Sequence, residues 1–307
     1  MSFKEIRNNE PLESVVKNII LQRVMKENQS TIFLGKIIEM SFGKMLRTSF
    51  ASKILSRNTE NSFCGVECVC AAVELIHTAS LFHDDVIDGA TLRRGMPALW
   101  KTFTPNSAIL IGDILLCEAL QILLDSEGAS YVRPFSEKVR EVCITEARQE
   151  LALRGKTCDL ETSLRIARGK TGPLFALVGL ACGGIDKGLS AALEEAGYRV
   201  GTAYQILDDL IDDSGDEEHA GKTLGTDRLR SKFTLARHGE RSKTVIMDTL
   251  KGLFDSSLSL LNEWPAQQAG LRDFIKESLY PVADSIAKNS LIASSFISEY
   301  QAVAAGL

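Results

Sequence analysis

The chain has almost nothing from which a strand could grow. No stretch of useful length alternates apolar and polar residues, so sandwiches, barrels and open sheets are excluded. Nor does a Ser/Gly/Pro-rich linker divide the 307 residues, and residues 1–307 are read as a single domain with enough apolar residues, 45%, for a sizeable core. A basic surplus is missing too. The formal charge is −5 and the pI about 5.6, which excludes the basic face of a nucleic-acid binder. The N-terminal MSFKEIRNNEPLE lacks the positive-then-apolar order of a signal peptide. The nearly uncharged run 171–185 is too short and glycine-rich to span a bilayer. A cytoplasmic protein without stable membrane insertion is expected.

Metal signatures built on sulfur or imidazole are likewise absent. The seven cysteines are an odd, scattered set, which fits free buried thiols in a reducing compartment, and the CxxxCxC run at 64–70 has the wrong spacing for zinc. Only four histidines occur. Glu74 and His77 form an ExxH pair, but a di-iron bundle needs a second one and none exists, so His77 alone reads as a core histidine.

What is present is helical periodicity. Residues 13–27 are amphipathic, and 64–88 form a long, mostly apolar segment that reads as a buried central helix. Helices follow from Pro105 onward, with a break at 127–130, over 133–153, through the LRIARGKTGPLFALVGLACGG run, where Pro173 suggests a kink, and over 190–213. After a charged, glycine-containing loop at 214–232, further helices are expected over about 242–263, 267–289 and 291–303. This is one all-helical domain.

Two of these segments end in clustered carboxylates, HDDVID at 83–88 and LDDLIDD at 207–213. On a helix Asp84 and Asp88 share a face, as do Asp208 and Asp212, and two like charges about 6 Å apart repel by about 3 kcal/mol at an effective dielectric near 20. At a helix C-terminus the dipole adds to the cost. Such clusters call for a hard divalent cation, and Mg²⁺ binds through a few carboxylates together with substrate phosphate oxygens. Arg93 and Arg94 follow the first cluster, and guanidinium forks suit phosphate. Together these features point to a diphosphate held between metal ions and arginines. The loop carrying Lys222 and Lys232 has the composition of a phosphate lid. Lys44 and Arg47, taken alone, read as a surface basic pair.

In this order, FGKMLR, ELIHTASLFHDDVIDGATLRRG, the GD at 112–113, GKTGPL, YQILDDLID, GKTLGTD and SKFT resemble the trans-isoprenyl diphosphate synthases, the polyprenyl synthetase family, of long-chain type. The resemblance implies an all-α antiparallel helical bundle around a deep central cavity, usually a homodimer. By it, Asp84, Asp85, Asp88, Asp208, Asp209 and Asp212 bind Mg²⁺, three ions with substrate bound. Arg93, Lys170, Thr171, Gln205, Lys222 and Lys232 engage the allylic diphosphate, and Lys44, Arg47, His77 and Arg94 form the isopentenyl diphosphate pocket. The implied reaction is ionisation, condensation and elimination from a farnesyl or geranylgeranyl primer. Asp84, Asp88, Asp208, Arg93, Lys170 and Lys232 carry that chemistry. A shorter-chain synthase and a partner subunit of a heteromeric synthase are the alternatives, and the lipid-like product implies membrane contact. Ala79 and Ser80, just before Asp84, are small where shorter-chain synthases often carry bulk, which implies a product longer than geranylgeranyl. The chain departs from the family's GGKRxRP pattern, with Phe42, Met45 and Thr48 replacing expected residues.

Overall fold

The computed structural model describes residues 10–25, 34–35, 37–39, 41–56, 65–156, 159–214 and 240–281. Its long elements are helices: α1 (Leu12–Val24), α2 (Leu46–Leu55), α3 (Val66–Asp88), α4 (Pro105–Leu124), α5 (Val132–Arg148), α6 (Leu160–Cys182), α7 (Lys187–Ser214), α8 (Glu240–Ser259) and α9 (Pro265–Phe274). Two expectations change. The amphipathic run 133–153 is α-helical only to Arg148 and continues as a π-turn over Gln149–Leu153, and the segment after Phe274 likewise turns to π geometry over Ile275–Leu279. A two-stranded ribbon, Leu92–Arg93 against Met96–Pro97, also exists, too short to leave an alternating pattern. The expected helix over 291–303 lies outside the described residues.

Helices α6 and α7 form the centre of the bundle, and glycine explains how closely they lie. A Cβ on Gly183 would strike Ser190, one on Gly179 would strike Leu193, and one on Gly201 would strike Gly172. Positions rise on one helix as they fall on the other, so the pair is antiparallel and its backbones meet where side chains are missing. Pro173 sits inside α6 without ending it.

The core joins elements from both ends of the sequence. Phe175 of α6 packs edge-on to Phe50 of α2 with centroids 5.9 Å apart, and Phe50 in turn meets Phe274 of α9 at 5.4 Å. Edge-to-face pairs of this kind add to simple area burial by about 0.5–1.5 kcal/mol. Helix α3 is almost wholly inside, with Cys68, Val69, Cys70, Ala71, Ala72 and Val73 at 3% exposure or less. Helices α3 and α4 are each long and apolar enough to cross a membrane by length and composition, but most of α3 is buried inside the bundle.

Candidate active site

Helix α3 delivers the first aspartate cluster at its C-terminal end, as its sequence implies, and Gly89 stops it in the left-handed region at φ 65°. The chain then folds into the small ribbon, whose two-residue turn, Arg94–Gly95, has positive φ at both positions, the hairpin-forming I′ arrangement. This turn sends neighbouring arginines to different places. Arg93 comes back to Asp85, to whose Oδ1 its Nε donates at 3.0 Å and its second guanidinium nitrogen also donates. Arg94 reaches the other way, donating to the Ser41 carbonyl and lying over Gly43, where any Cβ would meet its guanidinium.

Residues 42–45, just before α2, are not helical. Lys44 is exposed there, but Arg47, expected beside it as a surface pair, is 7% exposed at the start of α2. Its guanidinium lies 5.3 Å from the Phe175 ring centroid, and its Nε is buried without a hydrogen-bond partner. Burial pushes Arg47 and Arg94 down from the usual guanidinium range, and both feel the Glu74 carboxylate. His77 is held well below the usual imidazole range, first by burial and then by Arg47, Arg94 and Arg93. A neutral His77 beside these arginines is therefore a hydrogen-bonding group in a cationic pocket.

The second cluster joins the same region. Tyr204, one turn before Asp208 on α7, is among the groups whose charge bears on Arg47 and Arg94. From Thr171 a polar chain runs to it: the Thr171 hydroxyl donates to Gln205 Oε1 at 2.5 Å, and Gln205 Nε2 donates to Asp209 Oδ1 at 2.8 Å. Lys170 is anchored to α5 and its π-turn, by Glu146 at 3.0 Å and by Gln149 Oε1 at 3.2 Å. Burial, and after it the Asp84 carboxylate, pushes the Cys143 thiol up, so Asp84 stands near the helix, α5, whose Glu146 holds Lys170.

Among the described residues no three carboxylate, imidazole or thiolate groups converge into a preformed metal site. Asp85 is the inward member of its cluster, 1% exposed, with Oδ2 buried and unpartnered and its carboxyl pushed up by burial against the pull of Arg93. Asp84 and Asp88 are more open, and so are Asp208 and Asp209. An oxygen-only donor set with one orphaned buried oxygen fits a hard divalent cation. For Asp212 only its place in α7 is described, and Lys222 and Lys232 lie outside the described residues.

Two sequence expectations need correction or refinement. Ser80 stands one turn before Asp84 on the same helical face, partly open, its hydroxyl turned back to the His77 carbonyl at 2.8 Å. Ala79 is placed differently: about 140° round a helix of 3.6 residues per turn from Asp84, it is 1% exposed in the apolar core, where it serves helix packing. Sequence reasoning weighed Glu74 only as half of an ExxH pair and passed over Glu146 and Gln149. A carboxylate in so apolar a helix as α3 was the available signal, because a buried charge needs a partner.

The family model described as polyprenyl synthetase matches residues 33–242. The chain belongs to the polyprenyl synthetase family. It is 33% identical over 233 residues to heptaprenyl diphosphate synthase component 2 of Bacillus subtilis, covering 75% of this chain and 62% of that protein. With geranylgeranyl diphosphate synthase of Mycobacterium tuberculosis it shares 37% identity over 177 residues, 54% of this chain and 50% of that one. The match thus spans less than two thirds of either relative. Among solved structures, a polyprenyl synthase from Caulobacter crescentus, complexed with calcium and isoprenyl diphosphate, superposes with a TM-score of 0.73 at 25% identity, covering 89% of this chain and 97% of that one.

Proposed function

We propose that this member of the family is a prenyltransferase that condenses isopentenyl diphosphate with a farnesyl or geranylgeranyl primer to a medium- to long-chain all-trans polyprenyl diphosphate. The observation that carries the reading is the cationic cluster of buried Arg47, the ribbon-turn Arg94 and neutral His77, the last on the helix that ends in the first aspartate cluster. Two anion sites side by side suit two diphosphates. Mg²⁺, three ions with substrate bound, would be held by Asp84, Asp85, Asp88, Asp208, Asp209 and Asp212 and would supply charge neutralisation on the departing diphosphate. The Caulobacter neighbour, with calcium and isoprenyl diphosphate, supports divalent metal use.

In this reading Lys170 and Arg93 stabilise charge developing on the allylic leaving group, in the way that preorganised donors stabilise an oxyanion. Thr171 and Gln205 present oxygen dipoles to the allylic cation while apolar walls exclude water. Arg47, Arg94 and His77 fix isopentenyl diphosphate so that its double bond attacks that cation and a proton is then lost. Incubating the purified chain with isopentenyl and farnesyl diphosphates and Mg²⁺ should give a polyprenyl diphosphate by mass spectrometry. Hydrocarbon products or no turnover would overturn the assignment. His77→Ala should raise KM for isopentenyl diphosphate about tenfold before the allylic KM moves, since lost uniform binding is read in KM. An equal rise in both constants would remove His77 from that pocket.

The chain is also read as a homodimer in the cytoplasm, where Cys68, Cys70 and Cys182 remain free thiols. The dimer reading rests on α4, which exposes Leu110 at 61%, Ile114 at 44% and Leu124 at 55% on one side of the helix. Exposed apolar side chains gathered on one helix face suit an interaction surface. Light scattering should show a dimer that Leu110→Glu with Ile114→Glu converts to monomer. A wild-type monomer that is inactive alone would favour the partner-subunit reading instead, which the name of the Bacillus relative, a component 2, also suggests.

A further inference from the structure

Glu74 is a buried carboxylate, 6% exposed, in the middle of α3. Its Oε1 accepts from the Thr48 hydroxyl at 2.9 Å and from the Thr48 backbone N–H at 3.2 Å. Thr48 is the third residue of α2, whose N-cap position is Met45, a side chain that makes no capping bond and stands at φ 46°. The first N–H groups of a helix have no partner within it, and an anion near them is stabilised by the helix dipole. Glu74 thus supplies from α3 the cap that the sequence around Met45 does not.

The residue next to Thr48 in this first turn is Arg47, the second of α2. Its backbone belongs to the turn that Glu74 holds, and its side chain is buried with Nε unpartnered, its charge, like that of Arg94, bearing on His77. Polar atoms buried in this way call for a ligand. The family pattern has proline at the position of Thr48, and proline has no N–H to offer a carboxylate. In this chain the turn is tied by two donors instead.

We infer that Glu74 and Thr48 are a positioning pair: the carboxylate on α3 fixes the first turn of α2 through Thr48 and so sets where Arg47 meets the diphosphate of isopentenyl diphosphate. The inference rests on the pocket assignment made above and names the device that holds it in place. Neither residue touches the substrate. Removing the Thr48 hydroxyl leaves one bond of two, lets the turn loosen and displaces Arg47 from its aim without changing the charge of the pocket.

The test is Thr48→Val, which keeps the buried volume, compared with Thr48→Ser, which keeps the donor, and with Thr48→Ala should valine not yield folded protein. The expected result is a rise of about tenfold in KM for isopentenyl diphosphate in the valine or alanine variant. The change in kcat and in the allylic KM should stay under twofold, and serine should restore the wild-type value. Both KM values moving together, no change in either, or a serine variant as impaired as valine would overturn the pair. Binding of inorganic diphosphate without metal, followed by calorimetry, keeps the two readings apart. If the wild type binds diphosphate but does not condense, the prenyltransferase assignment falls while the valine variant's weaker binding still supports the pair; equal binding by both proteins overturns it.

Discussion

Asp84→Ala and Asp208→Ala should each lower turnover about a thousandfold, on the scale at which losing a group that stabilises developing charge is felt. Both residues are partly open, and each belongs to a separate carboxylate cluster at the C-terminal end of its helix. Stability should move the other way or not at all. At the C-terminus of α3 the Asp84 carboxylate is disfavoured by the helix dipole, by about 0.3–1 kcal/mol, and it stands one turn from Asp88. Its removal therefore relieves repulsion in the metal-free protein. The measurements are single-turnover rates with Mg²⁺ and thermal unfolding without it. Turnover within tenfold of wild type in either variant would sink a mechanism that needs both clusters. A large drop in melting temperature would show that the aspartates hold the fold instead.

Periodicity made the helices of this bundle legible because apolar residues recur at helical spacing along α1, α3, α6 and α7 and are the residues found inside. The same signal was silent at 42–45, where FGKM is not helical, because that break depends on Arg94 arriving from the ribbon to lie over Gly43. The two-residue turn at Arg94–Gly95 was hidden for a related reason. Glycine there is an ordinary turn residue, but an arginine at φ 54° is stabilised by its contact with the Ser41 carbonyl, which is far away in sequence.

In the site, residue types were easier to read than their pairings. Carboxylates at i and i+4 and adjacent arginines declare themselves along the chain. That Arg93 would turn back to Asp85, or that Lys170 would anchor on Glu146 and Gln149, depends on which helices pack together. Spacing gave Ala79 and Ser80 equal weight because both precede Asp84 closely. A helical wheel separates them, and burial confirms the separation, with Ala79 in the core and Ser80 partly open.

That separation gives the second large effect. Ser80→Phe should shorten the product by several isoprene units while leaving the first condensation nearly intact. Ser80 lies one turn below Asp84 on the same face of α3, partly open, with its small side chain folded back onto the His77 carbonyl. A phenyl ring there would stand in the way of a chain growing down from the diphosphate, and it would meet that chain only after the first additions. Ala79→Tyr tests the opposite placement. At 1% exposure a tyrosine must displace core neighbours, which costs about 1–3 kcal/mol or more by overpacking, so that variant should lose stability before it changes product length. Mass spectrometry of the extracted products together with melting curves separates the two. The expected pattern is a shorter product with an unchanged melting temperature for Ser80→Phe, and a lowered melting temperature with an unchanged product for Ala79→Tyr. Unaltered product from Ser80→Phe would remove Ser80 from the path of the growing chain, and a wild-type product no longer than geranylgeranyl would overturn the long-chain assignment.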